Sequence, residues 1–191
     1  MTLRALTVSL IVGGLPLALA GCSTPATPDN MASAAAPEIA AHPGGSGYRS
    51  MTVGDVQGGS DTNPLWLAGV SNADFHTALE TSLKRASYLA EPGARGAYVV
   101  SARIEGLDRP TAGFDPLLVF APLDWSVTVK IRYTVTPAAG GAPVFDELVA
   151  ATGTASGDTA VTTDGRVRKS EEAAVRADID AFLSRVRPSL R

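Results

Sequence analysis

The sequence predicts an α+β domain built as a two-layer sandwich, in the order β-α-β-β-β-α, with one sheet covered on one face by two helices. Three observations carry this. The stretch "WSVTVKIRYTV" (residues 125–135) alternates cleanly: Trp125, Val127, Val129, Ile131, Tyr133 and Val135 fall on one side, with Ser126, Thr128, Lys130, Arg132 and Thr134 on the other. A strand so divided belongs to a sheet with one covered and one wet face. Two other segments, behind Ser71 and near Arg168, repeat apolar residues at helical spacing and so supply the cover.

Taken in order, "YRSMTVGDVQGG" from Tyr48 reads as a first strand ending at Gly58-Gly59. A polar loop with Asn63-Pro64 and Trp66 leads to Ser71-Asn72-Ala73-Asp74, which has the form of a capping box. Phe75, Leu79, Ser82, Leu83 and Ala86 then share one helix face, and the helix should stop before Pro92-Gly93. "AYVVSARI" (residues 97–104) reads as the second strand. "PAAGGA" (residues 137–142) turns the third strand into a fourth, "PVFDELVAATGTA". A last helix starting near Arg168 carries Val175, Ile179, Phe182, Leu183, Val186 and Leu190 on one stripe. Glu172 and Arg176 are expected as an i,i+4 pair on its outer side.

The beginning of the chain has a different character. Met1-Thr2-Leu3-Arg4 and the apolar run Ala5–Ala20 form the n-region and h-region of a secretory signal, and the run is too short and too interrupted by Pro16 to span a bilayer as a helix. It ends Leu19-Ala20-Gly21-Cys22, and Cys22 is the single cysteine of the 191 residues. This ending resembles the lipobox of bacterial lipoproteins. The resemblance implies residues 1–21 as a signal peptide, a diacylglycerol thioether on Cys22, and acylation, for example by palmitate, of the new amino terminus. A thiolate is the side chain nucleophilic enough to take such a lipid. Ser23 in place of Asp implies, by the sorting rule of Gram-negative lipoproteins, the periplasmic face of the outer membrane. Residues 22–47, rich in Ala, Pro, Ser, Thr and Gly, are expected as the lipidated cysteine and a flexible tether, leaving residues 48–191 as a single domain.

The element order behind a lipobox is similar to that of small periplasmic α+β lipoproteins, among them the lipopolysaccharide-assembly lipoprotein and the auxiliary lipoproteins of envelope ABC transporters. More narrowly, "GGSDTNPLWLAGVSNADFHTALETSL" with "RPTAGFD" resembles a family of uncharacterised proteobacterial lipoproteins. The resemblance implies an envelope location and no established activity.

Composition and motifs narrow the function. Lys and Arg number 16 against 19 Asp and Glu, a net charge of −3, and loss of residues 1–21 removes one base, Arg4. Mild acidity without clustered bases argues against nucleic acid. His42 lies beside Pro43 and His76 early in a helix, and no Cys/His spacing suggests a metal; no cofactor motif is found. "GGSGY" and "TASGD" each miss a glycine of the nucleophile elbow, and Asp146-Glu147 on a strand point to opposite faces. No catalytic residue is assigned, and the chain is expected not to be an enzyme. Asp158 and Asp164 in "SGDTAVTTDGR" read as a polar turn.

The segment "DRPTAGFDPLLVFAPLDW" (residues 108–125) is long for a hairpin connection and carries Phe114, Leu117, Leu118, Val119 and Phe120. Two readings stay open: these residues fold back over the core, or they form a partner-docking or lipid-contacting loop that Trp66 could join, with Arg109 and Asp115 at its rim. The leading function is thus a non-catalytic lipoprotein that binds an envelope protein or lipid. The alternative is a hydrolase or transferase acting on cell-wall or lipid material, which a buried carboxylate of raised pKa in a pocket would favour.

Overall fold

The alternation around Val129 is realised as the longest strand of a four-stranded sheet in the computed structural model, which describes residues 24–45, 47–60, 69–109, 124–156 and 163–190. The elements are α1 (Pro28–Met31), β1 (Met51–Gln57), α2 (Asn72–Arg85), β2 (Tyr98–Asp108), β3 (Trp125–Pro137), β4 (Phe145–Ala155) and α3 (Thr163–Val186), closed by a 3-10 turn over Arg187–Ser189. The sheet order is β1-β2-β3-β4; β1 and β2 are parallel, and the remaining neighbours are antiparallel. The expected α+β two-layer sandwich is therefore present, with α2 and α3 on one face.

Every second residue of β3 from Val127 to Val135 is fully buried, while Ser126 to Thr136 on the other register stay at least partly exposed. The inner face meets α3: the Tyr133 ring stacks on Phe182 at 4.2 Å, and Phe145 meets Phe182 edge-on at 5.6 Å. Gly153 of β4 lets the helix come close, because a Cβ there would collide with the α3 backbone at Ser170 and Ala174. On the outer face polar residues pair across strands. Arg132 bridges Glu105 (2.8 Å) and Asp146 (3.1 Å), Lys130 meets Asp108 (2.7 Å), and Thr128 shares a hydrogen bond with Thr152 (2.7 Å).

Helix α2 starts as its sequence indicates: Ser71 Oγ accepts from Asp74 N at 3.0 Å. It ends at Arg85, well ahead of Pro92, because Ser87 turns left-handed (φ 61°) and releases Tyr88–Ala90 to run beside β1. Met51 N donates to Tyr88 O (2.9 Å) and Ala90 N to Met51 O (2.8 Å), capping the near end of this edge strand. The strand expected from Tyr48 begins at Met51 for the same reason. Helix α3 begins about a turn earlier than Arg168, so Asp164 lies in its first turn.

The largest departure concerns residues 22–47. Expected as a flexible tether, their described part packs along the furrow between α2 and α3. Met31 is fully buried, and Ala26, Ala32, Ile39 and Ala41 are each at least 92% buried. The strap descends beside α3 in the same direction. Thr27 N donates to Glu172 Oε1 (2.9 Å) and Asn30 Nδ2 to Glu172 Oε2 (3.0 Å). Arg176 Nε donates to Asn30 O (2.9 Å), Ser33 Oγ donates to Asp180, and Arg187 Nη1 donates to Glu38 O (3.0 Å). From the other bank, Arg85 Nη1 donates to Ser33 O (3.2 Å), and Ser82 Oγ accepts from Ser33 N (2.9 Å). Glu172 and Arg176 therefore do not form the expected solvent-side pair; they hold the strap. Composition misses this because the strap needs no core of its own. A few small apolar side chains enter a core built by others, and charged side chains satisfy its backbone.

Val129→Asp and Phe182→Asp each place an unpaired charge at a fully buried site. Both variants should lose the cooperative thermal transition of the parent in circular dichroism; an unchanged melt of either would contradict this packing.

Candidate functional site

Of the residues singled out above, Cys22, Trp66, Phe114, Leu117, Leu118, Val119 and Phe120 lie outside the described residues. Their flanks are described. The chain enters at Thr24, two residues after Cys22, and reaches its first buried position at Ala26. The segment 110–123 departs from Arg109 and returns at Asp124, where β2 ends and β3 begins.

Strand direction brings four chain ends together there: the end of β2, the start of β3, the end of β4 and the first turns of α3. Arg109, expected at a loop rim, instead turns inward and donates from Nε to Glu171 Oε1 at 2.6 Å. Glu171 is fully buried, and its second oxygen has no hydrogen-bond partner among the described residues. Burial pushes its carboxyl up to about 7; the Arg109 guanidinium opposes that rise, and nearby Asp164 and Glu172 add to it. Trp125 Nε1 and Arg168 Nε are also buried without a described hydrogen-bond partner.

A second buried carboxyl lies lower on the same helix. Tyr133, whose ring stacks on Phe182, donates from Oη to Asp178 Oδ1 at 2.8 Å. Burial pushes Asp178 up to about 7, against the Tyr133 hydrogen bond and the charge of Arg185, and the same burial drives the Tyr133 phenol well above its ordinary value. A carboxyl in such a site keeps its proton until water outside is neutral.

The surface carries grooves of mixed polarity. One of about 740 Å³, between α2 and the Leu89–Ala94 turn, is lined by Arg49, His76, Glu80, Lys84 and Glu91, with Arg49 and Glu91 paired inside it. Another of about 350 Å³ lies on the wet sheet face over Asp55, Gln57, Arg103 and Arg132. Neither groove is lined by Glu171 or Asp178. Among the described residues no three His, Cys, Asp or Glu side chains come together as a metal site, and no helix is long and apolar enough to cross a membrane.

Glu171 and Asp178 were missed in the sequence, although a signal exists. Both fall on the α3 stripe of Val175, Ile179 and Phe182, where an acid interrupts an apolar face. Pattern reading reports the face; only the structure shows that Arg109 and Tyr133 meet these acids there.

Both carboxyls bind a proton in the fold at pH values where the unfolded chain has released it. The native state thus holds more protons between about pH 4 and 7, and stability falls as pH rises through that window. The melting temperature should therefore decline from about pH 5 to about pH 8. Asp178→Asn keeps an oxygen for Tyr133 but cannot ionise, so it should flatten the decline and melt above the parent at the alkaline end. Calorimetry across this range checks it; a parent melt that rises with pH contradicts it.

No protein-family model matches the chain, and no curated protein matches it. Solved structures similar to it include a Xanthomonas campestris protein of the DUF330 family, at TM-score 0.49 and 9% identity, covering 73% of this chain and 84% of that one. A Caulobacter crescentus protein predicted to be a lipoprotein gives TM-score 0.43 and 11% identity, over 73% of this chain and 91% of that one. A PelC dodecamer from Paraburkholderia phytofirmans gives 0.45 and 16%, over 75% and 89%. These likenesses assign no activity to the chain.

Proposed function

We propose that the protein is a lipid-anchored envelope lipoprotein. Held by acyl chains on Cys22 at the periplasmic face of the outer membrane, it acts without catalysis, binding an envelope protein or a lipid. The observation that carries this reading is the junction itself. A secretory-type apolar run ends in Leu-Ala-Gly-Cys, and four residues later, at Ala26, the chain is buried in a folded domain. Several acyl chains on one residue, at about 0.8 kcal/mol per buried CH₂, hold a protein far more firmly than one.

The binding role draws support from how polar groups are used. On the wet face Arg132, Lys130 and Thr128 are engaged by cross-strand partners, an arrangement suited to a stable surface more than to a reactive centre. The apolar residues Leu117–Phe120 belong to a connection rooted at Arg109, which is tied to α3 through Glu171. A hydrolase or transferase is the second reading. The raised carboxyl of Glu171 favours it, but catalysis would need that group to face a substrate cleft, and its hydrogen-bonding oxygen is occupied by Arg109.

Cys22→Ser should leave the fold and melting temperature unchanged while moving the protein from the membrane pellet to the soluble fraction of cells. Retention of the serine variant in the pellet contradicts the anchor.

A further inference from the structure

The strap changes what the anchor can do. A free tether over residues 22–47 would behave as a coil of roughly 25–30 Å reach and leave the domain to tumble above the bilayer. Here the chain is fixed from Ala26 onward: Ala26 is buried, and Thr27 is held by two hydrogen bonds to Glu172 on α3. Only four residue steps separate Cys22 from Ala26, a span of at most about 14 Å even when fully extended. A lipid-bearing residue sits at the boundary of headgroups and acyl chains, and the headgroup layer alone takes about 5–7 Å of that span. The remainder is less than one helix diameter of about 10 Å.

We infer that the helical face at the head of the strap, around Glu172 and the neighbouring turns of α3, rests on the headgroup surface of a lipid bilayer, with the polar face of the sheet turned away from it. The inference rests on the proposed lipidation of Cys22. The contact face carries the exposed cationic side chains of Lys169 and Arg176, one turn either side of Glu172, while Asp29 adds one exposed acid on the strap. Arg176 holds Asn30 O with its guanidinium, so its charge stays at this face. The opposite face, with Arg132, Thr152 and Leu148, lies a full sheet layer farther from α3 and is what the protein offers to a partner in the periplasm.

The test uses the full-length chain, processed and lipidated in cells, then reconstituted into vesicles of phosphatidylethanolamine and phosphatidylglycerol doped with a nickel-chelating lipid. Nitroxide labels are placed singly at Lys169→Cys and at Thr152→Cys, the native cysteine being occupied by lipid. Headgroup nickel should relax the label at position 169 several-fold more strongly than the label at position 152. A long Gly/Ser insertion between Ser23 and Thr24 should abolish the difference while leaving the protein on the vesicles. Equal relaxation at both positions in vesicle-bound protein without the insertion overturns the fixed orientation and leaves the anchor standing. Protein that does not partition to vesicles at all overturns the anchor, and this inference with it.

Discussion

Two helices laid side by side on a sheet leave a furrow between their outer surfaces, and the way this furrow is closed shapes the rest of the molecule. In this protein it is filled by the chain's own residues 24–45, with Met31 and Ile39 as apolar contacts and Glu172, Arg176, Arg85 and Arg187 as clamps on the strap backbone. Helix α3 is consequently packed on two sides. The sheet takes Val175, Ile179 and Phe182, and the strap takes Glu172, Arg176 and Asp180. A helix enclosed this way can carry buried polar residues that a surface helix would expose, provided each finds a partner.

That condition is met unevenly. Glu172 is satisfied on both oxygens by Thr27 and Asn30, whereas Glu171 and Asp178 each have one oxygen bonded and one without a described hydrogen-bond partner. The cost of burying a carboxylate is avoided by keeping it protonated, which is why both are driven to about 7. The charge state of α3 is therefore coupled to neutral pH, while the strap clamp through Glu172 is built on hydrogen bonds to backbone and amide donors. The same helix thus joins the strap, the stacked Tyr133–Phe182 core and the loop end of the sandwich at Arg109.

Most of this architecture can be read in the sequence, because alternation and helical spacing report burial directly. Val127 to Val135 and Phe75 to Leu83 are assigned to the correct faces from period alone. Three features are not legible, for distinct reasons. The end of α2 depends on a left-handed Ser87 that no glycine marks. The acids at 171 and 178 are paired with residues about 62 and 45 positions away, separations that local patterns do not span. The strap is poor in large apolar residues and looks like a linker, yet one methionine, one isoleucine and a series of alanines suffice when the groove already exists. Composition measures whether a segment can bury itself, not whether a neighbour can bury it.

The strap is part of the folded domain, clamped to α3 through Glu172 and Arg176. The most direct measurement compares the unfolding free energy of a chain beginning at Ser23 with one beginning at Gly47, both without lipid, by urea titration. Removing the strap uncovers the furrow that Met31 fills and strips Glu172 of its partners, so the shorter chain should lose several kcal/mol and unfold at markedly lower urea. Equal midpoints and equal slopes for the two chains would return residues 24–45 to the role of a spacer.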